Sequence, residues 1–217
     1  MSFTARKALL VGATGLVGSR LLELLLQDPA YDEVHVLGRR STGIAHAKLR
    51  ECVVDFDRLD QAAMPAVDDA FCCLGTTIKA AGSREKFRSV DYAAVLDVAR
   101  LAIEAGARQF LLVSAMGANP SSRVFYNRVK GEVEDAVSKL GYRAVCIFRP
   151  SFLAGDRKQS RRGEQVALAA LKRLPFLLPK KYRPVADIAV ARAMVDAAKR
   201  EEPGMHLIDS DRMQRFS

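Results

Sequence analysis

Hydrophobic positions along this chain fall into short apolar runs separated by segments with helical spacing. Ala8-Leu9-Leu10-Val11 is the first run, and Leu21-Leu22-Glu23-Leu24-Leu25-Leu26 follows it, so residues 6–27 predict a strand, a turn and a helix. Further runs at 33–37, 51–54, 68–75, 109–113, 143–148 and 205–208 predict strands, because each is brief and bounded by turn-forming residues. Between them, the segment from Val90-Asp91-Tyr92 presents Val95, Val98, Ala99 and Ala102 at helical intervals and closes at Gly106. A second helix opens at Phe125-Tyr126 and ends before Gly141, and a third, over 188–199, has Asp187 as its N-cap. Residues 41–48 read as a loop or short helix, and 78–88, polar and glycine-containing, as a loop. Strands alternating with helices predict an α/β chain with a doubly wound parallel sheet, one domain over residues 1–217. The alternation breaks over 154–185, where basic residues, a helix at 164–174 and Pro175, Pro179 and Pro184 predict a substrate lid or small subdomain.

The turn after the first strand is Val11-Gly12-Ala13-Thr14-Gly15-Leu16-Val17-Gly18, a G-x-x-G-x-x-G pattern. Gly12 permits a sharp exit from the strand, Gly15 lets a pyrophosphate approach the backbone, and Gly18 lets the helix pack tightly. The first amides of that helix point at an anion and its dipole favours negative charge there. The second strand ends in Gly38-Arg39-Arg40-Ser41, with no acid to accept ribose hydroxyls. Two arginines suit the 2′-phosphate of NADP(H), the alternative being solvated surface arginines. After the third strand, Asp55 is placed to accept from an adenine amino group and Phe56 to border the ring; taken alone, Asp55 is an ordinary turn residue. Gly75-Thr76-Thr77, after the fourth strand, offers backbone and hydroxyls to the cofactor's central region.

The catalytic candidates are Ser114, Tyr126 and Lys130. A phenol, with a pKa of about 10, is a poor acid–base at neutral pH. A neighbouring ammonium stabilises its phenolate. Tyr126 and Lys130 are four residues apart and share a helix face, and Ser114 ends a strand twelve residues before Tyr126. Ser114 is expected to donate to a substrate carbonyl, Tyr126 to exchange the proton as hydride moves to or from the nicotinamide, and Lys130 to hold ribose hydroxyls. Pro150 shapes the chain beside this cofactor site.

Charge and cysteine usage narrow the alternatives. The 217 residues carry 34 basic and 25 acidic side chains, a net +9, which invites a nucleic-acid reading. The basic residues are scattered, however, apart from Arg157-Lys158 with Arg161-Arg162 and Lys180-Lys181, and nothing interleaves them with aromatics. A nucleic-acid partner is therefore not expected. Cys52, Cys72, Cys73 and Cys146 all fall in strands predicted to be buried and read as reduced apolar residues, with no metal site. No apolar run spans a membrane and no leader precedes the first strand, so a cytoplasmic protein is expected.

These residues carry a resemblance. The glycine turn, Ser114 and Tyr126-x-x-x-Lys130 resemble the short-chain dehydrogenase/reductase superfamily, whose nucleotide-binding half is Rossmann-like. Leu37-Gly38-Arg39-Arg40, Cys73-Leu74-Gly75-Thr76-Thr77, Tyr126 through Glu134, Phe148-Arg149-Pro150 and Asp156-Arg157 through Gly163-Glu164 are similar to its atypical Tat-interacting protein branch. That resemblance implies NADPH binding through Thr14, Gly15, Leu16, Val17, Arg39, Arg40, Leu74, Gly75, Tyr126, Lys130, Leu153 and Arg161. The chain departs from many superfamily members where they carry a structural Asn; Asp91 lies in that region and differs in type. The expected activity is hydride transfer to or from a small-molecule carbonyl or alcohol. The alternative is a non-catalytic NADP(H)-binding regulator or redox sensor, acting through a protein partner or as a homo-oligomer, with Phe176-Leu177-Leu178 as an exposed patch.

Overall fold

The computed structural model describes residues 5–154 and 179–217. Its centre is a seven-stranded parallel sheet built from β1 (Arg6–Val11), β2 (Tyr31–Gly38), β3 (Leu49–Val53), β4 (Asp69–Cys72), β5 (Gln109–Val113), β6 (Ala144–Arg149) and a last strand, Gly204–Asp209. Two short strands, β7 (Leu153–Ala154) and β8 (Val185–Ala186), pair parallel outside it, which makes the last strand β9. The order β3-β2-β1-β4-β5-β6-β9 reverses direction between β1 and β4, the switch point of a doubly wound sheet.

Both faces are covered, as a parallel sheet requires. Along β1, Ala8 and Leu10 join the core against α1 (Leu16–Gln27) and α6 (Asp187–Arg200). Leu9 and Val11 join the opposite core against α4 (Val95–Glu104) and α5 (Phe125–Ser138). This period of two divides strand residues between layers. Leu21, Leu22 and Leu25 of α1 meet Val190 and Met194 of α6 on one side, and Val98 and Ala102 of α4 meet Val133 and Val137 of α5 on the other.

At the amino ends of the strands lies a buried polar cluster. Asp69 of β4, wholly buried, pairs with Arg6 of β1 and accepts from the Tyr31 hydroxyl at 2.7 Å and from Gln109 Nε2 at 2.9 Å. Arg6 and Gln109 also donate to the Ala198 carbonyl of α6, at 3.1 and 3.0 Å. Burial pushes the Asp69 carboxyl above its ordinary range despite Arg6. Burial and the Asp69 carboxylate raise the Tyr31 phenol.

Three sequence expectations are corrected. Residues 78–88 are helical, not a loop. Thr77 Oγ1 accepts from Ala80 N at 3.1 Å to cap α2 (Ile78–Ala81), and Ser83 Oγ accepts from Lys86 N at 3.1 Å to cap α3 (Arg84–Arg88). Polar capping residues there start helices rather than fill a loop. Asp187 lies in the first turn of α6, with Ala186 at the cap, and its carboxylate accepts from Ile188 N. Of the two options left open for 41–48, the chain takes the loop. Cys52 is exposed, because β3 is the sheet edge and its residues after Leu49 lie open; Cys73 is half-buried, and Cys72 and Cys146 are buried. The predicted helix at 164–174, Arg161, the Phe176-Leu177-Leu178 patch and most of the 154–185 insertion lie outside the described residues.

Candidate active site at the carboxyl ends of the strands

The glycine turn is built by close backbone contacts. Gly12 has φ +82°, and a Cβ there would lie 2.5 Å from the Cys73 carbonyl carbon, so the exit of β1 rests directly on the exit of β4. A Cβ on Gly18 would lie 2.1 Å from the Gly12 carbonyl oxygen, which admits only glycine where α1 meets the turn. These two glycines are required by the fold itself. Thr14 and Gly15 are exposed, Leu16 is half-buried, and Val17 is buried in the core. Gly15, at the N-cap of α1, supplies no side-chain acceptor, and the first turn has no acid. The positive end of this helix is therefore open to an anion.

The β4 exit leads to a second feature. Gly75 is exposed, and a Cβ on it would lie 3.4 Å from Asp91 Oδ1 and 3.6 Å from Lys130 Nζ. Lys130 and Asp91 form a buried ion pair at 2.8 Å. Asp91 comes from a π-helical turn, Ser89–Ala94, that joins α3 to α4. Such turns are rare and recur at functional sites. Asp91 Oδ2 accepts from Thr76 N at 2.9 Å, while Oδ1 faces the ammonium and takes no other hydrogen bond. Burial pulls the Lys130 ammonium down; Asp91, and then Tyr126, more than restore it, leaving it above the ordinary lysine value. Tyr126 is half-buried one turn earlier on α5, with its ring 5.5 Å from that of buried Phe87.

Ser114 ends β5 with its amide bonded to the Phe148 carbonyl at 2.8 Å. Its hydroxyl donates to Glu134, which Arg149 of β6 also grips through Nε at 3.1 and 3.2 Å and through Nη2. Ser114 and Glu134 are both buried. The expectation that Ser114 donates to a substrate carbonyl is thus modified: its one proton is engaged by a carboxylate. Glu134 continues the Tyr126–Lys130 face of α5 by one further turn, so three successive turns carry a phenol, an ammonium and a carboxylate. The loop after Ser114 presses on this helix at Gly131, where a Cβ would lie 2.2 Å from the Asn119 carbonyl carbon. Met116 N bonds the carbonyl of buried Pro150 at 2.9 Å, fixing the β6 exit beside it. Next to Arg149, a cavity of about 180 Å³ is lined by Met116, Gly117, Lys181, Asp209 and Ser210.

The remaining sequence candidates are spread more widely. Arg39 and Arg40 are exposed just beyond β2, with no ion pair among the described residues. The loop that follows them is held by Glu51, which accepts from Ser41 Oγ and Thr42 N at 2.7 Å each. Asp55 caps a short turn by accepting from Asp57 N at 3.1 Å, the ordinary turn role. Phe56 and Leu74 pack on the α4–α5 core, and Leu153 packs against the α1–α6 core. Asp91, Glu134 and Arg149 are the site residues to which sequence reasoning gave no role. The sequence signals for Glu134 are its i+4 spacing from Lys130 and its place in the block from Tyr126; for Asp91 the signal is its place in the region of the superfamily's structural Asn. Among the described residues no group of metal-ligating side chains assembles, and no helix is long and apolar enough to cross a membrane.

Comparison with known proteins fits this geometry. Residues 7–100 match the model of the semialdehyde dehydrogenase NAD-binding domain. The chain is 38% identical to protein HTATIP2 of Rattus norvegicus, over 88% of this chain and 80% of that one. It is 35% identical to the mitochondrial protein fmp52 of Aspergillus fumigatus, over 93% and 88%. Two solved structures share the fold. A short-chain dehydrogenase family protein from Francisella tularensis has TM-score 0.71 at 16% identity, covering 96% of this chain and 99% of that one. The Bordetella bronchiseptica enzyme WbmH in complex with NAD+ has TM-score 0.71 at 18% identity, covering 95% and 76%. The expectation of a cytoplasmic protein is corrected here: fungal relatives from Aspergillus and Candida are named as mitochondrial. That expectation rested on missing apolar segments, which carry no information on compartment. On sequence and fold together, the chain belongs to the HTATIP2 and fmp52 family, built on the NAD-binding Rossmann-like fold of the short-chain dehydrogenase/reductases.

Proposed function

We propose that this protein is an NADP(H)-dependent oxidoreductase that interconverts a small carbonyl compound and its alcohol, with Tyr126 as the acid–base. The observation that carries the reading is Lys130, a buried ammonium one turn from Tyr126, set against the exposed Gly75 backbone at the exit of β4. The dinucleotide fits the residues present: the α1 N-terminus has no side-chain acceptor of its own, and Gly75 leaves room a side chain would fill. Thr14, Gly15, Leu16 and Val17 would hold its pyrophosphate, Arg39 and Arg40 its 2′-phosphate, and Gly75, Thr76 and Lys130 its nicotinamide ribose. The bound cofactor supplies or accepts the hydride. Tyr126 gives a proton to the substrate oxygen in reduction and takes it back in oxidation, while Lys130 supports the charge that develops on the phenol. Ser114, its proton held by Glu134, turns oxygen lone pairs toward the site and orients a hydroxyl.

A second reading has an observation of its own. Lys130 is already paired with Asp91, and the Ser114 proton with Glu134, so both groups have partners within the protein. That arrangement suits a regulator that binds NADP(H) without turnover and passes the state on to a protein partner.

The deciding experiment is calorimetric titration with NADPH and NADH, paired with a screen of aldehydes, ketones and quinones. Preference for NADPH with turnover supports the enzyme, and Tyr126→Phe should then lower turnover by about 100-fold or more with NADPH affinity retained. Unchanged turnover in that variant removes Tyr126 from the mechanism. Binding without turnover establishes the regulator, and binding of neither cofactor ends both readings.

A further inference from the structure

Burying an ion pair is costly. Desolvation of both ions often exceeds their attraction, and an apolar pair of similar volume is frequently as stable. Asp91 and Lys130 are nonetheless buried together, their side chains 0% and 4% exposed. The local backbone is special as well: Asp91 stands on the π-helical turn of residues 89–94, not on regular helix. Its two oxygens go to different elements. One fixes the Thr76 amide in the loop after β4, the other faces the ammonium carried by α5. The pair lies directly behind the exposed Gly75, within 3.4 and 3.6 Å of where a Cβ would stand. Asp91 Oδ1 lies 2.8 Å from the ammonium, and an ammonium carries three donors, more than this one carboxylate oxygen can take.

We propose that Asp91 is a positioning residue for the cofactor: its carboxylate keeps Lys130 charged and aimed at the Gly75 backbone, and it ties that loop to α5, so that the grip on the nicotinamide ribose does not change with pH. The proposal rests on the cofactor reading above. The titratable groups that face Lys130 are Asp91 from the π-helical turn, Tyr126 from its own helix and Cys72 from β4. Burial pushes the Cys72 thiol up to about 12, so it stays neutral through the physiological range. Asp91 is therefore the carboxylate that offsets the burial of the ammonium. Without it, burial acts alone and favours the neutral amine.

The test has two readouts on the full-length chain. The first, with no cofactor present, follows the Lys130 Nζ resonance in 15N-lysine-labelled protein from pH 6 to 10.5, assigned with Lys130→Met and repeated in a Tyr126→Phe background. Wild type should remain an ammonium across this range, whereas Asp91→Asn should titrate within or below it. The second is NADPH affinity by calorimetry at pH 6 and pH 9. Wild type should bind alike at both, and Asp91→Asn should bind about tenfold more weakly than wild type at pH 9, the effect of losing one favourable charge. Asp91→Glu keeps the charge on a longer arm. It should leave the Lys130 titration as in wild type while weakening NADPH at both pH values, and it carries the test if Asp91→Asn does not fold. A wild-type Lys130 titration in Asp91→Asn, or wild-type NADPH affinity in either variant at every pH, overturns the proposal. If wild type itself binds no NADPH, both the cofactor reading and the positioning role fall, and the Lys130 titration then reports only the charge pairing.

Discussion

Two buried ion pairs sit at opposite ends of the same sheet and are built differently. At the amino ends, both Asp69 oxygens are satisfied: Arg6 and Gln109 donate to Oδ1, and Tyr31 donates to Oδ2. Partners on β1, β2, β4, β5 and α6 meet there, and Arg6 also pairs with Glu201 just beyond α6 at 3.1 Å. At the carboxyl ends, Asp91 takes one backbone hydrogen bond and faces one ammonium, behind an exposed glycine. The first pair ties four strands to α6 and works as a bolt between layers. Both ends keep buried atoms without an aligned hydrogen bond, Arg6 Nε and Gln109 Oε1 at the first and Asp91 Oδ1 at the second; what sets the second apart is the exposed Gly75 beside it. The pH dependences share a sign but fall in different ranges. Lys130 is held above its ordinary value, so its contribution to stability is complete below that value and is lost as pH rises through the folded one. Asp69 is raised chiefly by burial, so the native chain binds this proton more tightly than the unfolded chain. Its contribution therefore declines as pH rises across the carboxylate range.

Substitutions can break or sharpen this contrast. The largest effect should come from Asp69→Ala, which removes the buried carboxylate that Arg6, Tyr31 and Gln109 share and should cost about 3–5 kcal/mol in urea unfolding. The folded fraction should bind NADPH as wild type does; a parallel loss of affinity would show that the two ends are coupled. Tyr31→Phe removes one donor from Asp69 and should cost about 1–3 kcal/mol, again without touching cofactor affinity. The smallest effect on the fold should come from Gly75→Ala, whose Cβ meets Asp91 and Lys130 at ordinary contact distances. Stability should change by about 0.5 kcal/mol or less, while NADPH affinity should fall roughly fivefold, the equivalent of about 1 kcal/mol. Unchanged affinity in that variant would mean that the cofactor does not approach Gly75.

The sheet was legible because apolar runs and glycine turns are local signals. The strand over 109–113 and the helix from Phe125 follow from neighbouring residues alone, and the structure has both. What escaped depends on partners distant in sequence. Asp91 is one polar residue in an otherwise ordinary helical stretch, and its meaning comes from Lys130, which a different helix delivers. Ser114 looked like a free donor until β6 brought Arg149, and with it Glu134, to the same place. Cys52 was misread because nothing local tells a strand that it will lie at the edge. The helices over 78–88 were hidden by their polarity, although Thr77 and Ser83 are good caps.

The pairing of β7 with β8 has a consequence for how this chain could change over time. Leu153 aligns with Val185 and Ala154 with Ala186, and Val185 N bonds the Phe152 carbonyl at 2.9 Å. The two borders of the 155–178 segment are therefore held side by side, as a drawstring holds its two ends. Because the entropy of closing a loop grows only slowly with its length, by about 0.6 kcal/mol per doubling, such a knot can carry segments of very different size. The length of that segment can therefore vary while the sheet and the Tyr126 helix are inherited unchanged.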